Sequence, residues 1–327
     1  MSEELLLRVN LQASYAGKPV LRDIRFDLMR GEVLGLVGAS GGGKTTLVQS
    51  MLGLLPWRGG RVTGEVILRG KNLLDLPERE FRKLRGREIA LIPQSPMSAL
   101  NSAVTLQAHF NEAWKAHEHS GGAALAERMQ ALLAEVQLPS NSEFLRRRPS
   151  QISVGQAQRI LIALALLHRP ALIIADEPTS ALDPVTQTQI VELLGTLNRH
   201  HGTTLLYISH DLISVLQICD RIAVLDAGKI VENLPATELS HAKHEATIGL
   251  LEALPVPPEV LLLYKDRAKS ASFDLNECKQ KTKRKSDARE ASSGSGTVQS
   301  DDLPNNSLVT KKPGYNLSVI ARGRPDG

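Results

Sequence analysis

Nine consecutive residues, GASGGGKTT from Gly38 to Thr46, follow the apolar run EVLGLV and precede a helical pattern. They fit G-x-x-x-x-G-K-[ST], a spacing with a definite chemistry. Glycines let several backbone N–H groups converge on one anion, and the helix that follows turns the positive end of its dipole toward it. Lys44 is placed to reach the outer phosphates of a nucleotide, and the Thr45 hydroxyl to bind Mg2+. Gly38, Ser40, Gly41, Gly43 and Thr46 complete the candidate phosphate cradle.

Two further constellations belong with it. ALIIADEPTSALD, residues 171–183, is an apolar strand ending in adjacent carboxylates. Neighbouring strand side chains point in different directions, so Asp176 faces the Mg2+ shell while Glu177 faces an attacking water as general base. QISVGQAQR, residues 151–159, heads a strongly apolar helix and offers an anion site through Ser153 and Gly155. Read singly, an acidic turn and an ordinary helix cap explain these two stretches; the phosphate loop upstream turns both toward phosphoryl transfer.

The elements that must position these residues follow from periodicity. Apolar β-like runs begin at Leu5, Glu32, Gly64, Glu88, Ala171, Thr203 and Arg221, several of them continuous as in strands buried on both faces. Helical patterns lie between them, the clearest with Asp183 as N-cap, Pro184 at the first position and Ile190, Leu193, Leu194 and Leu197 on one face. This alternation predicts an α/β fold. It lapses from about 95 to 168, which predicts an inserted helical subdomain. From Lys265 the apolar period gives way to Lys, Ser, Gly and Asn, so a domain over 1–255 and a largely disordered C-terminal extension over 256–327 are expected.

Composition sets outer bounds. The 327 residues carry a formal charge of +4, but residues 265–327 hold 13 basic and 8 acidic side chains, leaving 26 and 27 before them. A near-neutral body argues against a nucleic-acid partner. Two cysteines, Cys219 and Cys278, cannot build a disulfide framework or a four-thiolate metal site, which suits a reducing compartment. The longest late apolar run, Ile160 to Leu167, is eight residues, too short for a span, and the start MSEELLLRVN does not read as a signal peptide.

In order and spacing, the motifs resemble those of the nucleotide-binding subunit of an ABC transporter. GASGGGKTT is similar to Walker A, LIIADEP to Walker B, QISVGQAQR to the family signature, SALD at 180–183 to the D-loop and YISHD at 207–211 to the switch-histidine motif. Gln94 in LIPQ resembles the Q-loop glutamine, and Tyr15 lies where the family stacks an aromatic on adenine. The resemblance runs from about residue 5 to 255 and implies a P-loop, RecA-like core. It implies ATP and Mg2+ as ligands, with Thr45, Gln94 and Asp176 around the metal, Glu177 as base and His210 at the γ-phosphate. Ser153, Gly155, Gln156 and Asp183 are implied to act in trans across a head-to-tail dimer. The expected partners are a second ABC ATPase subunit, identical or not, integral membrane permeases and, indirectly, an extracytoplasmic substrate-binding protein. The expected place is the cytoplasmic face of the cell membrane.

IPQSPMSALN, 92–101, and KHEATIGLLEALP, 243–255, resemble the dipeptide, oligopeptide and nickel importer ATPases, implying import of a peptide, nickel or a metal chelate. Departures are Val154 in place of the first signature glycine, Ser95 for an aspartate, and Glu245 and Ala246 for a proline and tyrosine. Val154 motivates one alternative, a weakly hydrolysing regulatory subunit paired with an active partner. A non-transport ABC ATPase is the other, although such proteins usually show tandem cassettes or long heptad insertions. The pairs His117/His119, His200/His201 and His241/His244 read as solvent-exposed polar residues, KQKTKRK at 279–285 as a solvated stretch, and Trp57 and Trp114 as packing residues.

Overall fold

The computed structural model describes residues 4–118 and 122–254. The extension expected over 256–327, with its basic run, lies outside the described residues, as does His119.

The chain opens with strands β1 (Leu5–Tyr15) and β2 (Lys18–Met29), joined through Ala16 and Gly17 at φ 48° and 77°. Two successive left-handed residues make the tight turn whose twist suits a hairpin. β3 (Val33–Val37) leads through the glycine loop into α1 (Lys44–Met51), then come β4 (Gly60–Leu68), β5 (Lys71–Asn72), α2 (Glu78–Leu84) and β6 (Ile89–Ile92). Five helices follow, α3 (Pro96–Ala99), α4 (Leu106–Lys115), α5 (Gly122–Glu135), α6 (Ser142–Leu145) and α7 (Val154–Ala165). The core resumes with β7 (Leu172–Asp176), α8 (Pro184–His201), β8 (Thr204–Ser209), α9 (Leu212–Ile218), β9 (Arg221–Asp226), β10 (Lys229–Pro235) and α10 (Glu245–Glu252).

Two sheets result. An antiparallel one has the order β2-β1-β4-β5; the other, β10-β9-β3-β8-β7-β6, is parallel except for β10. Strands β3, β7 and β8 are buried at every position and alternate between two apolar cores. Leu34, Leu36, Ile174, Leu206 and Ile208 face the antiparallel sheet and α1, whereas Val33, Val37, Ile173, Leu205 and Tyr207 face α7, α8, α9 and the insert. At Gly35 a Cβ would come within 2.4 Å of Val215 and 2.9 Å of the Cys219 sulfur, so α9 packs directly on backbone there.

The α/β core and the helical insert match expectation. Among the described residues no strand lies between β6 and β7, and the helices run from Pro96 to Ala165. Arg159 ties this region to the core, donating to Val136 O at 3.0 Å, Gln137 Oε1 at 3.1 Å and Gln189 Oε1 of α8 at 3.2 Å.

Several expectations need correction. β2, β5 and β10 were not anticipated: β2 is interrupted by Asp23 at φ 54° and by register shifts, and β10 is an edge strand with few buried positions. Such strands lose clean alternation. Trp57 is 74% exposed and is not a packing residue. The histidines are not uniformly solvated either. His117 meets the His168 ring edge-on at 4.9 Å, His201 Nε2 lies 2.7 Å from Glu135 Oε2, and His244 caps α10.

Candidate functional site

The parallel sheet brings the candidate residues together. β3, β8, β7 and β6 are neighbours, and the glycine loop, His210, Asp176–Glu177 and Gln94 all follow their C-terminal ends. Open α/β sheets bind ligands at that edge.

The loop's conformation needs its glycines, Gly41 standing at φ 81°. A Cβ on Gly38 would lie 2.2 Å from the Leu225 carbonyl oxygen, and Gly43, the N-cap of α1, sits at φ 103° with Leu21 2.7 Å from any Cβ. Lys44 is 5% exposed and donates from Nζ to Gly38 O at 2.8 Å and Ala39 O at 3.1 Å. Its ammonium is therefore held by the carbonyls of the loop, in the kind of glycine-rich turn whose N–H groups receive anions.

Around Glu177 the chemistry converges on one carboxylate. Lys44 Nζ is 3.5 Å from Oε1, Gln94 Nε2 donates to Oε2 at 2.9 Å, and His210 Nδ1 is 3.4 Å from Oε2. Glu177 adopts φ 46°, turning the chain sharply after β7, and its N–H is held by Ile208 O at 2.9 Å. The turn separates its side chain from that of Asp176. His210 is fixed from behind, since Asp211 caps α9 by accepting from Ile213 N and Ser214 N, and Asp211 N donates to Ser209 Oγ at 2.9 Å.

Asp176 is 7% exposed, and its Oδ1 has no hydrogen-bond partner among the described residues. Burial pushes its pKa up, the Glu177 charge adds to this, and the Thr45 hydroxyl and Lys44 offset it only in part. A buried acceptor left unpaired beside a threonine hydroxyl is the donor set that a hard, oxygen-seeking cation requires. The residues present thus fit Mg2+, and Asp176 and Thr45 are two that would hold it.

Other expected site residues stand apart. Ser153 caps α7 in a reciprocal box with Gln156: Gln156 N donates to Ser153 Oγ at 3.2 Å, and Ser153 N to Gln156 Oε1 at 3.1 Å. A Cβ on Gly155 would lie 2.8 Å from Thr186 of α8, whereas the neighbouring Val154 is 37% exposed. A side chain at 155 would have to displace the Thr186 methyl, whereas 154 reaches the surface. Asp183 caps α8, accepting from Thr186 N at 3.1 Å and Thr186 Oγ1 at 2.6 Å; these bonds lower its pKa. Among the described residues no hydrogen bond or ion pair joins these four residues to Lys44 or Glu177. Tyr15, at the end of β1, is half-buried and donates from its hydroxyl to Gln49 Oε1 of α1 at 3.3 Å.

Sequence reasoning missed three supports. Gln187 donates to Thr179 O at 3.1 Å and Leu182 O at 3.0 Å, shaping the loop that follows Glu177. Leu21 and Leu225 wall the glycine loop, and Gln49 anchors Tyr15. None lies within a motif, and only three-dimensional contact reveals them.

Comparison with known proteins agrees with this geometry. The family described as ABC transporter matches residues 21–180. The peptidoglycan transport ATP-binding protein YejF of Agrobacterium fabrum is 42% identical over 71% of this chain, which spans only 43% of that relative. The oligopeptide transport ATP-binding protein OppD of Escherichia coli is 38% identical over 76% of this chain and 74% of its own length. Among solved structures, the dimeric post-hydrolysis state of the ATP-binding cassette MJ0796, bound to ADP and Pi, superposes with a TM-score of 0.61 at 26% identity, over 71% of this chain and 98% of that one. With a phosphate loop after β3, a buried cation-ready aspartate at the end of β7 and a glutamate directly after it in one P-loop fold, the chain belongs to the ABC transporter family, as one of its ATP-binding, ATP-hydrolysing proteins.

Proposed function

We propose that this chain energises import of peptides through separate membrane permeases, as the ATP-hydrolysing member of a two-cassette dimer on the cytoplasmic face. The observation that carries the hydrolytic part is the gathering of Lys44, Gln94 and His210 around Glu177, at 3.5, 2.9 and 3.4 Å. Peptide as cargo follows the relatives' names, oligopeptide and dipeptide transport among them. Neither of those names mentions nickel or a metal chelate, so peptide is the cargo proposed.

ATP is held by the amides of residues 38–46, with Tyr15 against the base. Mg2+, when bound, neutralises charge on the phosphate oxygens, and Asp176, Thr45 and Gln94 are the residues to hold it. Lys44 gives up its contact with Glu177 for a phosphate, which frees that carboxylate for water. Glu177 then takes a proton from the water as its oxygen bonds to the γ-phosphorus and the bond to the bridging oxygen breaks. Gln94 and His210 orient Glu177 and the γ-phosphate. The partner cassette presents its own Ser153, Gly155 and Gln156, and Asp183 links the two sites. ATP charge favours closure and its hydrolysis removes that preference, so closing and opening become two states driven by turnover. The helical insert passes the motion to the permeases, which receive peptide from an extracytoplasmic binding protein.

The test is Mg2+-dependent ATP hydrolysis by the chain assembled with its permeases and binding protein in vesicles. Turnover stimulated by peptide-loaded binding protein, with peptide accumulating inside, is the expected result. Tight ATP binding with no hydrolysis in that assembly would overturn it and make this the regulatory member of the pair.

A further inference from the structure

At the opposite end of the parallel sheet from Lys44, a cavity of about 170 Å3 is lined by Arg30, Arg69, Arg128, Arg169 and His201. We propose that it is a second, non-catalytic anion site that takes a small phosphate-bearing ligand. Its floor is formed by Ala171 and Thr203, just before β7 and β8, while the catalytic groups follow the far ends of those strands. At about 3.3 Å per residue the separation is on the order of 15–20 Å, so one ligand cannot serve both places.

The charge balance of the cavity points to an anion. Arg30 pairs with Glu4 at 2.9 Å, Arg69 with Glu88 at 2.7 Å and His201 with Glu135 at 2.7 Å. Arg128 and Arg169 have no carboxylate within 4.0 Å among the described residues. Arg128 spends its guanidinium on carbonyls, Leu166 O at 2.7 Å and Leu167 O at 3.2 Å. Its pKa is pushed down, first by burial and then by the charge of Arg169, with Glu135 opposing. Two neighbouring cations that only the more distant Glu135 offsets raise each other's energy, and an anion between them removes that cost. Guanidinium groups match phosphate oxygens two at a time, a geometry that ammonium groups lack. The cavity is far larger than the roughly 10–15 Å3 needed for one water.

The lining also comes from three separate parts of the molecule. Arg30 and Arg69 flank the antiparallel sheet, Arg128 lies in α5 of the insert, and Arg169 and His201 belong to the core. A bound phosphate would bridge all three, tying the insert to both sheets.

Equilibrium dialysis of the full chain against radiolabelled inorganic phosphate tests this, with a saturating non-hydrolysable ATP analogue and Mg2+ occupying the catalytic site. One phosphate per chain is expected. Displacement by ADP as well as by unlabelled phosphate would identify a nucleotide tail as the natural ligand, and displacement by phosphate alone the free anion. Arg169→Gln removes a side chain that makes no hydrogen bond among the described residues, and it should weaken binding about fivefold with analogue affinity retained. Arg128→Gln combined with it should weaken binding more than tenfold. Absence of phosphate binding once the analogue saturates, or equal binding by wild type and both variants, overturns the proposal.

Discussion

Asp176 is where folding and catalysis make opposite demands. Its carboxylate is buried at 7% exposure with Oδ1 unpaired, and burial followed by the Glu177 charge raises its pKa above the ordinary 3.8. In the native state it therefore holds its proton more tightly than in the unfolded chain, so stability falls as pH rises from about 3.8 through the raised value. Asp176→Asn should stabilise the nucleotide-free chain by on the order of 1 kcal/mol at neutral pH, since a neutral amide is cheaper to bury. The same variant should lose the extra stabilisation that Mg2+ adds to ATP. Thermal melts with ATP, with and without Mg2+, check both, and a less stable nucleotide-free variant would contradict the argument. Glu177 stands beside it with a different task. Glu177→Gln leaves Lys44 and the loop amides in place, so ATP should still bind while turnover drops about 100-fold or more, the range a general base contributes. Single-turnover hydrolysis beside equilibrium ATP binding separates the two effects. These two carboxylates, Lys44 and Thr45 were legible in the sequence because spacing along one strand and one loop fixes them locally. Family resemblance marked Gln94 and His210 as site residues, at the metal and the γ-phosphate, but not their contact with Glu177, since Gln94, 83 residues away, and His210 are brought to it by sheet order alone.

α7 shows what an element's first turn decides. Ser153 and Gln156 satisfy each other's exposed N–H groups, and Gly155 lets the helix start close against Thr186. Ser153→Ala should cost about 1 kcal/mol of stability, the usual worth of such a cap, as read by urea denaturation. It should also weaken whatever anion that helix end receives from a partner cassette. Val154 differs in kind. At 37% exposure it packs little against its own chain, so Val154→Gly should cost about 0.5–1 kcal/mol from backbone entropy alone. Under the proposed trans contact with a partner's phosphate, turnover of the assembled dimer should rise once the β-branched side chain is removed; unchanged turnover would show that valine fits there. Elements with strong local signals were read correctly. β3, β7 and β8 are continuous apolar runs buried on both faces, and α8 announces itself with Asp183 and Pro184. β2 and β10 were not, because a positive φ at Asp23 and one-sided pairing of β10 erase the period that marks a strand.

At the scale of the whole molecule, the proposed transport cycle asks the insert to move against the core without coming loose. An apolar cluster that runs from the insert into the core holds the two together, and polar attachments add to it: Arg128 to the carbonyls ending α7, Arg159 to Gln189, and Glu135 to His201 at the end of α8. The polar attachments release and re-form at less cost than the apolar packing beside them. Glu135 gives this attachment a pH dependence. Burial alone would raise its pKa, but the hydrogen bond and charge of His201, with Arg128, outweigh burial and leave it lowered from 4.5. A carboxylate with a lowered native pKa contributes stability that is fully present above 4.5 and lost as pH falls through the lowered value. Glu135→Gln should therefore remove this contribution at neutral pH and flatten the acid side of the stability curve. Hydrogen exchange should show the loss where it arises. Amides of α5 should exchange several-fold faster in Glu135→Gln at neutral pH, while those of β3, β7 and β8 keep wild-type protection, because both faces of those strands are held by packing the substitution does not touch. Uniform acceleration across core and insert would mean that the pair supports global stability only. Unchanged exchange in α5 would mean that apolar packing with Arg128 and Arg159 suffices to dock the insert.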